Sequence, residues 1–327
     1  MILAGDVGGT KTLLGLFDAG PERPVARDTQ SYVTTEYVDL TAVIRAFTAR
    51  PAVRGTPLTG ACFGVAGPVL GDTAELTNVP FRIDGPAIAA AFGIARVTLL
   101  NDLESMAYAV PVLDAAERCT LQAGVPARGA NMALLAAGTG LGEALLHNNG
   151  DRFVPSPTEA GHADWAARTP RDLRVLSFLV DRHGRAEVED VIAGKGLANL
   201  HRVTHASGCA AHIDADSPDA PAALTRAALE GRCADCVEAL DIFVEAYGAE
   251  AGNLALRTLA AAGVFVGGGI APKILPALID GRFMRAFRDK GPMRPLLERV
   301  PVHVILNPDA GLLGAAVHAR ALAQAVE

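Results

Sequence analysis

The sequence predicts an α/β fold built from two related halves. Short apolar runs alternate with segments of helical spacing, which is the alternation that packs helices against sheets. A strand, a glycine-rich turn and a second strand open the chain, and the same layout returns near Met132. The length of 327 residues suits about two domains. The 50% of apolar side chains, with a mean hydropathy of +0.27, is enough for packed cores.

The first half is predicted from four apolar runs and two helical segments. The predicted strands are Ile2–Val7, Leu13–Phe17, Gly60–Val65 and Val97–Leu100. The first two flank a glycine turn and predict a hairpin. The predicted helices are Asp84–Phe92 and Leu103–Val110, with Asp84 and either Asn101 or Asp102 as N-caps.

The second half repeats the strand–turn–strand layout and then becomes more helical. The predicted strands are 132–136, Ala144–His147, 264–266 and His303–Leu306, and the predicted helices are Arg171–His183, Ala220–Gly231, Ala234–Ala262 and Gly311–Ala325. We find no clear linker between the halves. The domain boundary is therefore expected to cross the chain more than once.

Composition excludes several classes of partner. The 36 acidic and 29 basic side chains give a net charge of −7, so we expect no nucleic-acid surface. Apolar runs stop well short of the roughly 18 residues that a membrane span needs, so we expect no membrane partner. The five scattered cysteines are typical of reduced thiols and favour a cytoplasmic location.

Two cysteine and histidine patterns are not predicted to form a site. Cys233 and Cys236 make a CxxC pair, but no second CxxC or thioredoxin-like context accompanies it. His201, His205, Cys209 and His212 have nearly helical spacing. Because Ser207-Gly208 is expected to end the helix first, the sequence does not favour a metal site there.

Three strand-like runs end in glycine clusters, at residues 5–10, 138–140 and 267–269. Glycine lets the backbone approach a ligand, and successive N–H groups in such turns can bind anions. Asp6 lies in the first cluster, where a carboxylate would repel phosphate unless Mg²⁺ lay between them, either directly bound or through water. Each cluster alone could also be a simple tight turn. The spacing matches neither a P-loop nor a Rossmann fingerprint.

The order of the motifs resembles one protein family over nearly the whole chain. Gly5-Asp6-Val7-Gly8-Gly9-Thr10-Lys11-Thr12 resembles the first phosphate motif of the actin-like/hexokinase superfamily. Ala137-Gly138-Thr139-Gly140-Leu141-Gly142 resembles the second phosphate motif of bacterial glucokinases. Val264–Ile270 with Pro272 resembles their segment near the adenosine.

That resemblance implies two ribonuclease-H-like (actin-like ATPase) domains with a cleft between them that holds ATP. It implies a small domain of residues 1–111 plus 303–327, a large domain of residues 112–302, and a homodimer. The implied nucleotide-binding residues are Gly5, Asp6, Val7, Gly8, Gly9, Thr10, Gly138, Thr139, Gly140, Gly267, Gly268 and Gly269.

Asn101-Asp102 follows a predicted strand and opens a predicted helix, where α/β sheets present ligand groups. Phosphoryl transfer to an alcohol needs a carboxylate that accepts the hydroxyl proton, and Asp102 suits that role. From the local sequence alone, Asp102 could merely cap the helix. The resemblance implies that Asp102 is the catalytic base and that Asn101 binds the sugar.

Glu159 and His162 lie in a glycine-containing turn and can both hydrogen-bond a small polyol, although the tetrapeptide alone could be an ordinary surface loop. The resemblance implies that both bind sugar, as does Glu189 ahead of Gly194-Lys195-Gly196-Leu197. Without the resemblance, Glu189 would belong to a solvated charge run with Glu187 and Asp190. Asn78 is a further candidate for the sugar pocket. Ser156-Pro157-Thr158 replaces the glycine-rich approach usual in that family.

These features predict ATP-dependent phosphorylation of glucose to glucose 6-phosphate, with Mg²⁺. Two alternatives remain open: a kinase for another hexose or an amino sugar, and a sugar-binding regulator without catalysis. ADP or polyphosphate could also be the donor, but no lysine-rich track favours a long polyanion. The related ROK kinases commonly carry a cysteine-rich zinc motif near the sugar-binding histidine. Cys209, Cys233 and Cys236 do not have that arrangement.

Overall fold

The computed structural model describes residues 1–76, 79, 81–205 and 208–324. The chain divides into two compact units, one formed by residues 1–114 and 307–327 and the other by residues 115–306. The predicted small-domain segment 303–327 therefore starts too early. Its first residues, through Ile305, form a strand whose neighbours on both sides belong to the second unit.

The first unit is built on a five-stranded sheet in the order β3-β2-β1-β4-β8. In chain order its elements are β1 (Ile2–Val7), β2 (Lys11–Asp18), β3 (Val25–Val33), α1 (Leu40–Thr48), β4 (Gly60–Val65), β5 (Val69–Leu70), β6 (Thr73–Glu75), β7 (Arg82–Asp84), α2 (Gly85–Phe92), β8 (Val97–Asn101) and α3 (Asp102–Ala109). β1 pairs antiparallel with β2 and parallel with β4, and the short strands β5 to β7 form a separate sheet.

Both faces of that sheet are covered, which explains why β1 and β4 are almost continuously apolar. On one face, Leu3 and Leu14 pack with Val43 and Phe47 of α1. The other face is covered by the C-terminal helix of the chain, through the buried residues Leu312, Ala315, Ala316 and Ala319.

The second unit is built on a six-stranded sheet in the order β12-β11-β10-β13-β14-β9. Its strands are β9 (Arg118–Gln122), β10 (Met132–Ala137), β11 (Leu141–Asn148), β12 (Phe153–Thr158), β13 (Gly263–Gly267) and β14 (Val302–Ile305). Its helices are α4 (Pro170–His183), α5 (Gly194–Thr204), α6 (Ala220–Leu229), α7 (Ala234–Thr258), α8 (Leu275–Ile279), α9 (Arg282–Arg288) and α10 (Arg294–Leu297). The chain then returns to the first unit with α11 (Ala310–Gln324).

The two large sheets share one plan. In each, a hairpin strand lies between an outer antiparallel strand and a central strand, and two parallel strands follow on the other side. β9 is an addition at the edge of the second sheet. The predicted α/β class and the repeated strand–turn–strand layout are confirmed.

Elements with polar outer faces were not predicted from sequence. β3 has only exposed and half-buried residues, and β12 contains two prolines, so neither shows an apolar run. The long predicted helix 234–262 is α7, which ends where Leu259 takes a left-handed conformation at φ 47°. Within the described part of the chain, no helix combines the length and apolar character that a membrane crossing requires.

Candidate functional site

The first glycine turn connects β1 and β2 in the first unit. Gly5, Asp6 and Val7 are strand residues, and Gly8, Gly9 and Thr10 lie in the turn. The N–H of Gly8 donates to the carbonyl of Lys11 over 3.0 Å, which closes the turn.

Thr34, which the sequence did not single out, holds this turn from outside. Its hydroxyl donates to the carbonyl of Gly8 over 2.8 Å, and its N–H donates to the carbonyl of Thr10 over 3.0 Å. The Thr34 hydroxyl also lies 2.9 Å from the Thr12 hydroxyl, and both residues are fully buried. The turn is therefore positioned before any ligand arrives.

Three carboxylates of the first unit gather at the end of β1. Burial, followed by the charges of Asp102 and Asp309, raises the pKa of Asp6 from 3.8 to about 6, although Lys11 opposes the shift. Such a group of oxygen ligands suits a hard divalent cation, because a cation would relieve the mutual repulsion. The residues present therefore fit Mg²⁺.

Asn101 and Asp102 have different positions and different hydrogen bonds at the start of α3. The Oδ1 atom of Asn101 accepts from the N–H groups of Leu103 and Glu104 over 2.9 and 3.2 Å, so Asn101 is the N-cap. Asp102 is the first helical residue, and its side chain reaches solvent. The surrounding protein still raises the pKa of Asp102 by desolvation, against the lowering effect of the Leu103 N–H. Asp102 is thus an accessible carboxylate with increased basicity.

The second glycine turn connects β10 and β11 in the second unit. The N–H of Gly138 donates to the carbonyl of Gly140 over 2.8 Å, and the N–H of Gly194 donates to the carbonyl of Gly138 over 2.9 Å. The structure brings Glu189 to this turn, where its Oε2 atom accepts from the N–H of Leu141 over 2.8 Å. Its Oε1 atom lies 2.8 Å from the Nζ atom of Lys195.

The environment of Glu189 keeps this carboxylate charged. Burial alone would raise its pKa, but the hydrogen bonds from Lys195 and Leu141 outweigh burial and lower it. A Cβ atom at position 140 would lie 2.6 Å from Oε2 of Glu189, so a side chain there would displace this carboxylate. The predicted sugar ligand and the predicted phosphate turn therefore form one connected structure.

The third glycine cluster supports the second turn. Gly268 has φ +83°, and a Cβ atom there would lie 2.3 Å from the carbonyl oxygen of Ala137. The buried phenol of Tyr247 accepts from the N–H of Ala137 over 3.2 Å and lies 3.2 Å from the carbonyl of Gly267. Gly269 follows in the same turn. Tyr247 was not predicted, since nothing in α7 marks it as a contact of the turn.

A cavity of about 1000 Å³ opens beside the second turn, entirely within the second unit. Its wall includes Gly138, Thr139 and Gly140, apolar residues of α6, and Ile270 and Ile274. Lys195, Lys273 and Arg226 add positive charge. This volume and this mixture of apolar and cationic groups suit a nucleotide with its phosphates.

Glu159 directly precedes a short 3₁₀ helix, Ala160–His162, and His162 is its last residue; both side chains are exposed. The Nδ1 atom of His162 lies 2.7 Å from Oε2 of Glu187, and this hydrogen bond raises the pKa of His162. The side chain of Arg185 donates to the carbonyl of His162 and pairs with Glu187. Glu187 thus orients the histidine, a role that its place in a charge run did not reveal. Asn78, the remaining candidate, lies outside the described residues.

The fold and the two glycine turns define a member of the actin-like ATPase class. A family model described as Glucokinase matches residues 3–322, and the chain belongs to that family. It is 37% identical to a glucokinase of Trichormus variabilis, with 98% of this chain and 99% of the relative covered.

Solved structures of glucokinases have a fold similar to that of this chain. A glucokinase from an Antarctic psychrotroph has a TM-score of 0.86 at 29% identity, with 98% of both chains covered. A ROK family glucokinase from Streptomyces griseus, in complex with glucose and AMPPNP, has a TM-score of 0.65 at 21% identity, over 98% of this chain and 99% of that chain. This second likeness supports the fold.

Proposed function

We propose that the chain transfers the terminal phosphoryl group of ATP to the 6-hydroxyl of glucose and releases glucose 6-phosphate and ADP. The observation that carries the proposal is Asp102, an accessible carboxylate of raised pKa fixed at the start of a helix that Asn101 caps. Membership of the glucokinase family over residues 3–322 supports the substrate and the donor.

Asp102 accepts the proton of the attacking hydroxyl and orients its oxygen, which is the main demand of this reaction on a side chain. The capping bonds of Asn101 use its Oδ1 atom, so its amide nitrogen can donate to a sugar hydroxyl. Glu159, His162 and Glu189 hydrogen-bond the remaining hydroxyls. Asn78 is retained as a further sugar ligand on the resemblance alone.

Main-chain N–H groups of the two glycine turns bind the phosphates, and the cavity of the second unit accepts the nucleoside. Asp6 would hold Mg²⁺, directly or through water, with Asp102 and Asp309 nearby. When bound, Mg²⁺ neutralises charge on the phosphates. Thr34 and Tyr247 keep the two turns in place throughout.

We also propose a homodimer in the cytoplasm without nucleic-acid or membrane partners. The five cysteines are all free, which supports a reducing compartment, and the net charge of −7 disfavours a polyanionic partner. We further propose that the two units are two domains, and that the larger domain, residues 115–306, binds the nucleoside in its cavity.

A coupled ADP-release assay tests the function. Mg-ATP is supplied with glucose, mannose, fructose, N-acetylglucosamine or no sugar. We expect glucose-dependent turnover well above the rate without sugar. Faster turnover with another hexose would keep the chemistry and change the substrate. Sugar binding by calorimetry without ADP formation would favour the regulator instead.

A further inference from the structure

A group of thiols and imidazoles lies away from the two glycine turns, where α5 ends and α7 begins. His201 is in the last turn of α5, His205 follows that helix, and Cys209 lies in the next loop. Cys233 caps α7 and Cys236 is in its first turn. The ligand atoms of His201, His205, Cys209 and Cys236 all lie within 4.8 Å of one another. We call these four residues the Cys/His cluster.

We propose that the Cys/His cluster binds one Zn²⁺ ion as a structural site. Zinc takes sulfur at about 2.3 Å and imidazole nitrogen at about 2.0–2.1 Å in a tetrahedron, so bound sulfurs lie about 3.7 Å apart and sulfur lies about 3.5 Å from nitrogen. In this structure Sγ of Cys209 lies 3.7 Å from Sγ of Cys236, and Sγ of Cys236 lies 3.6 Å from Nε2 of His205. Two edges of the tetrahedron are therefore already formed.

The orientation of His205 fits a metal ligand. Its Nδ1 atom lies 2.8 Å from the carbonyl oxygen of His201, which accepts the Nδ1 proton. That hydrogen bond leaves a lone pair on Nε2, the atom that faces the sulfurs. Zinc-binding histidines are usually oriented by this kind of hydrogen bond on the other ring nitrogen.

His201 supplies the fourth ligand. Its ring stacks on that of His205, with centroids 3.7 Å apart. It is 6% exposed, and its Nε2 atom has no hydrogen-bond partner among the described residues. An unpartnered buried imidazole nitrogen is costly unless something occupies it. Cys233, whose sulfur lies 3.5 Å from Nε2 of His205, is the competing fourth ligand.

Four protein ligands leave no open position, so the site would be structural and not catalytic. It joins the end of α5 to the start of α7, and the chain between them forms α6, whose residues line the nucleotide-sized cavity. Each thiol that binds the metal gives its proton to solvent. Zinc would fix the two ends of this segment and thereby fix one wall of the cavity.

Metal analysis of the protein purified under reducing conditions with added Zn²⁺ tests the proposal, followed by Co²⁺ substitution. We expect one zinc per chain and, with Co²⁺, a sulfur-to-metal charge-transfer band. Cys209→Ser and Cys236→Ser should lose both signals, and His201→Gln should bind zinc at least about tenfold more weakly. Cys119→Ser, which changes a half-buried thiol of the same unit, is the matched control and should keep both.

Unfolding temperature provides a readout that does not depend on activity. A chelator should lower it in the wild type and in Cys119→Ser, and should have no effect on Cys209→Ser. Cys209 is only half-buried, so this variant is expected to fold even if the fully buried Cys236 does not tolerate replacement.

Three results would overturn the proposal. The first is a wild type that keeps no zinc after dialysis, and the second is equal zinc in Cys209→Ser. The third is a Cys209–Cys236 disulfide in protein isolated with zinc, which would identify a redox pair. Retention of zinc by His201→Gln, together with its loss from Cys233→Ser, would overturn the assignment of His201 as the fourth ligand.

Discussion

The two glycine turns close hairpins of the same topology in opposite electrostatic surroundings. In both units the turn follows the central strand, and the first glycine donates to a main-chain carbonyl across it. Three carboxylates gather at the end of β1 in the first unit. At the second turn, the carboxylate of Glu189 is paired with Lys195. The same hairpin topology therefore presents a group of carboxylates in the first unit and a carboxylate–lysine pair in the second.

Register shows where the difference arises. Asp6 is the next-to-last residue of β1, and the matching residue of β10 is Ala136. The buried acid of the second hairpin is Glu143, on the returning strand opposite Leu135. Glu143 is fully buried, and neither of its carboxylate oxygens has a hydrogen-bond partner among the described residues. Moving the acid from one strand to the other takes it out of reach of a ligand at the turn.

Replacing the proton acceptor of the first unit should have the largest effect. Asp102→Asn is expected to lower kcat at least about 10²-fold, because the amide cannot accept the hydroxyl proton. Glucose binding, measured by calorimetry, should be largely kept. Asp72→Asn, an exposed change elsewhere in the same unit, is the control. Near-normal turnover of Asp102→Asn would remove Asp102 from the role of base.

The second turn can be tested with a pair of glycine substitutions. Gly140→Ala places a methyl group 2.6 Å from Glu189, whereas Gly138→Ala meets no atom within 4 Å. We expect Gly140→Ala to lose about 1–3 kcal/mol in the free energy of unfolding. Gly138→Ala should unfold like the wild type but bind ATP more weakly, since phosphates approach its backbone. Equal stability of the two variants would contradict the role of Glu189 as a fixed wall of the turn.

Glu143 makes the stability of the second unit depend on pH. Burial, then the charge of Glu250, raises the pKa of Glu143 from 4.5 to about 8, against the opposing charge of Arg257. Between about pH 4.5 and pH 8 the folded protein keeps a proton that the unfolded chain has lost, so the free energy of unfolding falls across this range and levels off above about pH 8.

Glu143→Gln resembles the neutral acid and should remove this dependence. In urea unfolding, the free energy of unfolding of the variant should rise relative to that of the wild type, by about 2 kcal/mol between pH 5 and pH 6.5 and by about 4 kcal/mol between pH 5 and above pH 8. Glu159→Gln, an exposed acid of the same unit, serves as the control for charge alone. Parallel stability curves for wild type and Glu143→Gln would show that Glu143 is not held neutral.

The smallest expected effect concerns the support of the first turn. Thr34→Val removes the hydrogen bond to the carbonyl of Gly8 and leaves the buried Thr12 hydroxyl without this partner. We expect a loss of about 1–2 kcal/mol in the free energy of unfolding and a higher KM for ATP. Thr34→Ser, which keeps the hydroxyl, should restore both. Failure of Thr34→Ser to restore the KM would indicate that the methyl group matters instead.

The sequence predicted the parts of the molecule that depend on local pattern. Buried strands such as β1 and β4 are continuous apolar runs, so they and the glycine turns were visible, whereas the polar edge strand β3 was not. Contacts between distant segments were missed. Thr34 contacts Gly8, 26 positions away, and Glu187 contacts His162, 25 positions away. No local spacing in the sequence indicates such a pairing.

The Cys/His cluster was missed for the same reason. The helical spacing of His201, His205 and Cys209 extends past the end of α5, so a metal site on that helix alone would be interrupted. Folding brings Cys236 to His205 from 31 residues further along the chain. The other residues of a cluster that contains a single CxxC pair can therefore come from a neighbouring helix and the loop that follows it.

The return of α11 to the first unit sets an order of events during synthesis. One face of that unit's sheet stays uncovered until Leu312 to Ala319 have been translated, because those residues pack on Ile2 and Ala4. Residues 115–306 form a unit that is complete earlier. On the ribosome the second unit can therefore fold first. Until α11 has been synthesised, β1 keeps one apolar face exposed.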